Sequence, residues 1–495
     1  MAVKVDTQKE IIFGSSDPNI SRVISKKKKD GELRKLAPRI YTTNLIDSPA
    51  NIVRRNLIEI LAYRYPNALI SHRSAKEMRP TSTGDFFLTN STTRRVTDLP
   101  GIILNFVKGP KATAHDIPFM GMHISGEHRY MLENMQLSRK SGDESRVLPI
   151  SVIENKLEQL LLTGGEERLN QYRDELREVA NELGMADEFS KINNIISALL
   201  STHDARVLST DSAKARASGN PFDANRVGLF EILFDTIKDR YFVIRNNRNT
   251  DEDSFRLFSF FESYFSNYIE GTEFDIEEAK EIVDSGIPMP RRDEDSHDIL
   301  GTFKILSNRT EMRRVPTSPE ELFAILSHRH TILLEGRPHM NPGVFKMRNN
   351  RAGQTEFVDY QLVKGTLSQG FKYYSALTDP FARAIFMMFM ISEVHPFNDG
   401  NGRIARVMMN AEFVRADQSR IIVPTVFRED YILALRKLTR HKDPMAYINV
   451  MTKLHQFSDN LYGTDFTELK NYLAACNAYE EPSQAKLQII ERTFN

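Results

Sequence analysis

The stretch "DPFARAIFMMFMISEVHPFNDGNGRIARVMMNAEFV" (379–414) constrains the fold more than any other part of the chain. Asp379 is a good helix N-cap, and Pro380 suits the first helical position. Residues 381–394 are apolar almost all round, which marks a buried central helix rather than a surface one. The Met and Phe residues there read as core. Pro396 pushes the residue before it out of helical conformation. His395 therefore stands at a helix end, rigidly supported and facing a loop. The helical pattern resumes with "RIARVMMNAEFV".

Between the two helices lie Asn398, Asp399, Gly400, Asn401 and Gly402. Glycines let backbone approach a ligand closely, and small turn residues aim successive N–H groups outward. A tight loop feeding a helix N-terminus is an anion site. Arg403 and Arg406 are three apart on that helix, so they point the same way, and Arg is suited to bidentate phosphate contacts. An acid beside a polyphosphate holds Mg²⁺, a role open to Asp399. His395 is the proton acceptor with a suitable ordinary pKa. The set fits nucleotidyl or phosphoryl transfer to an attacking hydroxyl.

"HPFNDGNGRIAR" (395–406) resembles the Fic family motif, H-x-F-x-[DE]-G-N-G-R-x-x-R, at every defined position. The resemblance implies His395 as general base, Asp399 as the metal ligand, and Gly400, Asn401, Gly402 and Arg403 as the anion hole. Arg406 would hold the terminal phosphate of ATP, and Phe397 would anchor the loop. The implied reaction moves AMP from ATP to a Ser, Thr or Tyr hydroxyl of a protein, with Mg²⁺, or Mn²⁺ in its place. "REDYILALRKLTR" (428–440) fits the family's following helix, with Tyr431 in the base pocket and Thr439 where an asparagine is often found.

Upstream, "SFRLFSFFESYFSNYIEGTEFD" (254–275) carries a helical apolar stripe that Gly271 ends. Ser266 and Glu270 are four apart and share a face. Read alone, they are ordinary residues on an ordinary helix. Beside the Fic motif, "SNYIEG" (266–271) resembles the family's inhibitory pattern, [ST]-x-x-x-E-[GN]. The resemblance implies that Glu270 pairs with Arg406 and so displaces the γ-phosphate. It also leaves open the reverse reaction, removal of AMP from a modified protein. "NPGVFKMRNNRAGQTEFVDY" (341–360) reads as two short strands around a turn with Asn349, Asn350 and Gly353. In the family, a hairpin flap at this distance pairs with an extended target segment.

The other end of the chain is different in character. Basic and acidic residues balance at 66 each overall, so the whole is not an obvious nucleic-acid or membrane binder. Yet "RVISKKKKDGELRKLAPRIY" (22–41) is strongly basic. It reads as a solvated arm or as a contact to a nucleic-acid backbone. A capped helix at 48–66 is followed by β-rich runs, "GDFFLTN", "GIILNFVKG" and "IPFMGMHIS". That order suits a winged-helix-like module. With "APRIYTTNL" and "ISHRSA" it also resembles antitoxin-type regulatory N-terminal regions of multidomain bacterial proteins. His72 reads as a structural hydrogen-bonder. Residues 150–184 read as two helices broken at Gly164-Gly165, and 203–225 as a linker.

The expected fold is mainly α: a Fic-type helical bundle with a β-hairpin flap, preceded by a mixed α/β winged-helix-like domain. The expected divisions are a loose 1–20, the α/β domain at 21–135, and a helical connecting region at 136–220. Helices carrying the inhibitory motif follow at 221–300, the catalytic core at 301–460 and a C-terminal helical segment at 461–495. One cysteine, Cys476, rules out an internal disulfide and suits a reducing, cytoplasmic setting. Expected partners are ATP and a protein with an exposed hydroxyl. A homo-oligomer stays open, and no membrane is expected. The competing reading is a DNA-binding or antitoxin-like regulator in which the Fic region senses nucleotide.

Overall fold

The computed structural model describes residues 9–200, 207–353 and 355–492. The chain forms two compact units, Met1–Ser218 and Gly219–Asn495.

The first unit opens with β1 (Ile11–Phe13), α1 (Pro18–Lys29), β2 (Arg34–Ala37), β3 (Ile40–Thr42), α2 (Pro49–Arg55) and α3 (Leu57–Arg64). β4 (Leu69–Ile70), α4 (His72–Glu77), β5 (Asp85–Asn90), β6 (Arg94–Leu99) and β7 (Ile102–Lys108) follow. Then come β8 (Ile117–Phe119), β9 (Met122–Ile124), α5 (Glu127–Glu133), α6 (Ile150–Leu183), α7 (Ala186–Leu199) and α8 (Asp211–Ala217). The expected mixed α/β character is present. Its main sheet is larger than a winged helix carries: six strands in the order β6-β7-β5-β4-β9-β8, with β5·β7 and β4·β9 parallel. A separate antiparallel sheet has the order β1-β3-β2.

Several local expectations shift. Residues 1–8 lie outside the described residues, but the rest of 1–20 is built in rather than loose. Ile11 and Ile12 are buried, and β1 pairs with β3. The helix at 48–66 is two helices. Ser48 caps the first, and Asn56 interrupts them, donating its amide to Ile52 O and Glu10 Oε2. β6 was not read as a strand because its residues are charged and largely exposed. Lys26, Lys27, Lys28 and Lys29 form the last turn of α1, where cations offset the helix dipole. The helix break is at Gly165, with φ 67° and ψ −170°. Residues 203–206 of the expected linker lie outside the described residues. Further on, α8 is packed rather than linking: Ser212 donates to Glu158 Oε2, and Glu154 accepts the Ser209 and Thr210 N–H groups. His72 is buried and hydrogen-bonded, its ring nitrogens facing Ser71 Oγ at 2.9 Å and Gln136 Oε1 at 3.2 Å.

The second unit is helical. It comprises α9 (Ala224–Ile237), α10 (Glu252–Ile269), α11 (Ile276–Ser285), α12 (Asp293–Leu306), α13 (Arg309–Met312) and α14 (Pro319–Leu333). A hairpin of β10 (Arg351–Ala352) and β11 (Thr355–Glu356) follows. The rest is α15 (Val363–Ala376), α16 (Pro380–Val394), α17 (Asn401–Arg415), α18 (Arg428–His441), α19 (Pro444–Ser458) and α20 (Phe466–Ala475). α16 is the buried centre, with every residue from Ile385 to Ile391 at 0% exposure. Asp379 caps it by accepting the Ala382 N–H at 2.9 Å. No helix among the described residues is long and apolar enough to cross a membrane.

Candidate active site

His395 is the C-cap of α16, with φ 49° and ψ 62°. Its Nδ1 lies 2.7 Å from Ser392 O. A carbonyl only accepts, so Nδ1 carries the proton and Nε2 keeps a lone pair. Phe357, just past β11, stacks on the ring at 3.4 Å between centroids and 4° between planes. Burial pushes the His395 pKa down to about 4, with help from the nearby Lys346 ammonium.

The loop after it is held from three sides. The Phe397 side chain is buried between His330, stacked at 3.7 Å, and Phe345 at 5.2 Å. His330 Nε2–H donates to Asp399 O at 3.0 Å, and its Nδ1 accepts the Gly343 N–H at 2.9 Å. Asn401 Oδ1 accepts the Phe397 N–H, and Asn401 Nδ2 donates to Phe397 O, both at 2.9 Å. The Asn401 side chain thus shapes the turn, and its backbone N–H is left to face an anion. Gly400 adopts φ 70°, a left-handed conformation costly for other residues. The α17 ladder begins with Ile404 N–H to Gly400 O, so the N–H groups before it form an open first turn.

Arg403 reaches α12 as well as the turn. It is buried, with Nη1 2.7 Å from Asp298 Oδ2 on α12 and 3.3 Å from Asn267 Oδ1. Asp298 also binds Arg337 at 2.9 Å. Arg403 Nη2 lies 3.7 Å from Asp399 Oδ2, so the guanidinium joins the Asp298 ion pair to the turn. Asp298 and Arg337 were not read from the sequence, because nothing local marks a pair 105 residues from its partner.

Arg406 turns to α10. Its Nη2 donates to Glu270 Oε1 at 2.7 Å and to Ser266 O at 2.9 Å, while Nε donates to Ser266 Oγ at 2.9 Å. Burial pulls its pKa down, but the Glu270 carboxylate more than offsets this, and the net direction is up. Tyr431 is buried, its hydroxyl donating to Met388 Sδ at 3.7 Å. A side chain on Gly402 would collide with Glu270 Oε1, so the carboxylate lies directly over the open first turn of α17. Gly271 follows with φ 92° and lets the chain leave α10 at once. Two further contacts key α10 to α17: Asn267 with Arg403, and Glu262 with Asn410 Nδ2 at 2.7 Å.

Among the described residues, no group of three or more His, Cys, Asp or Glu is placed to hold a metal ion. Asp399 is a single carboxylate, its side chain 39% exposed. Mg²⁺ in nucleotide sites takes one or two carboxylates together with substrate phosphates and waters. Asp399 fits as that carboxylate, with the remaining donors supplied by a nucleotide.

The flap also differs from its expected form. Its strands have two residues each, and Asn349 and Asn350 belong to the stem rather than the turn. Asn350 Nδ2 donates to Phe397 O at 2.9 Å, and Asn350 Oδ1 accepts from Lys346 Nζ at 2.6 Å. Asn349 Oδ1 accepts the Tyr360 N–H.

Burial also pushes His330 and His455 down to about 4, so three imidazoles fold in neutral form. The unfolded chain binds protons on them from about pH 6.5 downward, whereas the folded chain resists until about pH 4. Stability is therefore full above 6.5 and is lost as pH falls through that window. The unfolding temperature at pH 5 is expected to lie below that at pH 7. An unchanged midpoint in calorimetry between those values would contradict the assignment.

The Fic/DOC family model matches residues 318–412, which include the loop and most of α17. Among curated proteins, the chain is similar to protein adenylyltransferase fic-1 of Caenorhabditis elegans, 30% identical over 115 residues, 23% of this chain and 22% of that protein. It is also similar to protein adenylyltransferase Fic of Nematostella vectensis, 24% identical over 214 residues, 40% of this chain and 47% of that one. The chain thus spans less than half the length of either relative. A solved structure of Fic-1 from C. elegans aligns with 66% of this chain and 92% of its own, at 16% identity and a TM-score of 0.36.

Proposed function

We infer that the chain, which the Fic/DOC family model matches over residues 318–412, is an autoinhibited protein adenylyltransferase. It would move AMP from ATP to a Ser, Thr or Tyr hydroxyl. The observation that carries the reading is the Arg406 guanidinium, beside the turn and already held by Glu270 at 2.7 Å.

In the released state the ATP phosphates lie over the first turn of α17, against its N–H groups and Arg406. Asp399 would hold Mg²⁺ with those phosphates, which supplies charge neutralisation there. His395 Nε2 takes the proton of the target hydroxyl as its oxygen bonds to the α-phosphorus. The bond from that phosphorus to the bridging oxygen breaks, and pyrophosphate leaves with the electron pair. Nδ1–H to Ser392 O keeps the lone pair on Nε2 throughout. Because the His395 pKa is about 4, the base form persists well below neutrality. Transfer is expected to keep its rate from pH 7 to pH 5 rather than fall near 6.5.

The test uses ATP labelled separately at the α and γ phosphates, with the Glu270→Gly chain and a protein target or the chain itself. Incorporation of α label without γ label supports AMP transfer. Incorporation of γ label means phosphate transfer, and neither label means that the reading fails. The reverse reaction, release of AMP from a modified protein, uses the same groups and would be read by the native chain on an AMP-labelled target.

A further inference from the structure

His395 has two restraints of different origin. Ser392 O fixes the ring through Nδ1 within its plane, and the Phe357 stack fixes the plane itself. A face-to-face stack leaves the in-plane lone pair of Nε2 open, so Phe357 orients the base without blocking it. Phe357 comes from the flap, which has only two pairs of paired residues and no apolar core of its own. Something outside the hairpin has to hold it.

That support is Arg226 in the first turn of α9. Its Nη1 donates to Glu393 Oε2 at 2.7 Å, and its Nη2 donates to Glu356 O at 2.5 Å. Glu393 is buried on α16, two residues before His395, and its other oxygen accepts the Thr439 hydroxyl from α18. A buried carboxylate needs a counter-charge, and Arg226 supplies it. One guanidinium therefore joins the helix that carries the base to the strand that carries Phe357. Arg440 adds a second tie from α18, donating to Thr355 Oγ1 at 3.0 Å.

We propose that Arg226, held by Glu393, is a positioning residue that clamps the flap so that Phe357 sets the plane of the His395 ring. Base alignment and target docking are then one event, since the target pairs with the same flap. The second half of this statement rests on the AMP-transfer reading; the clamp itself does not.

Two measurements test it on the full chain. The first is limited trypsin digestion, read at the exposed Arg348 and Arg351 of the flap. Arg226→Ala is expected to speed cleavage there about tenfold, the ratio that one lost charge-assisted hydrogen bond implies. Arg226→Lys should restore most of the protection. Because Arg226→Ala strands a buried carboxylate, the double variant Arg226→Ala with Glu393→Gln keeps the measurement interpretable. Parental cleavage rates in both would overturn the clamp. The second measurement is steady-state transfer on the Glu270→Gly background. Arg226→Ala should raise KM for the protein target and lower kcat, with KM for ATP unchanged. Phe357→Leu should lower kcat, and Phe357→Tyr should restore it. Equal rises in both KM values would also overturn the proposal. No transfer by the Glu270→Gly parent would refute the AMP-transfer reading instead, and the digestion would still decide the clamp.

Discussion

Glu270→Gly is expected to raise AMP transfer by on the order of 10²-fold over the native chain, the rate cost of about 1 Å of misplacement at the reacting centre. In the native chain, the Glu270 carboxylate lies over Gly402 and holds Arg406. ATP binding there would bring its phosphates against that carboxylate, so the α-phosphate is kept from in-line geometry. The substitution removes the carboxylate and little else. α10 stays keyed to α17 through Ser266, Asn267 and Glu262, each of which keeps its partner. Arg406 is then a buried cation short of its anion, a state that destabilises a fold. The variant should consequently melt below the native chain without ligand and gain more from ATP. At 100 times Kd, a ligand adds about 2.7 kcal/mol. Labelled-ATP transfer and melting with and without ATP check both halves. Equal labelling by the two chains would remove autoinhibition from the account.

How legible this site was depends on how far apart its partners lie. α16, the loop and α17 could be read locally, since an all-apolar helix, a cap at Asp379, a stop at Pro396 and two glycines are neighbours in the chain. The Arg406–Glu270 pair spans 136 residues and was reachable only through a second motif with its own spacing. Nothing comparable marked Asp298, so the ion pair that ties Arg403 to α12 was not legible. Nor did the sequence show that the Asn401 amide ties the turn to itself through Phe397. In the first unit, capping and β-rich runs marked α2, α3, β5, β7, β8, β9 and α6, but parallel pairing of β5 with β7 depends on strand order, which periodicity does not encode. Asn56 shows the same limit within one helix. Its break comes from side-chain bonds to Ile52 and to Glu10 on the strand-bearing N-terminus.

His395→Ala, made on the Glu270→Gly background, is expected to lower transfer by roughly 10²–10⁴-fold, the usual contribution of a positioned general base. The background matters, since in the native chain the loss would be hidden beneath inhibition. The substitution should leave ATP binding intact. On the proposed reading phosphate contacts would come from the first turn of α17 and from Arg406, and the loop is held by Phe397, His330 and Asn401 rather than by the imidazole. The loss should therefore appear in kcat, with KM for ATP nearly unchanged. Stability bears on the same assignment. His395 folds neutral with a pKa of about 4, so its removal should flatten part of the decline in unfolding temperature between pH 6.5 and pH 4. A double variant that still transfers AMP at the parental rate would place the base elsewhere. A variant that loses ATP binding along with transfer would mean that the ring supports the loop rather than the chemistry.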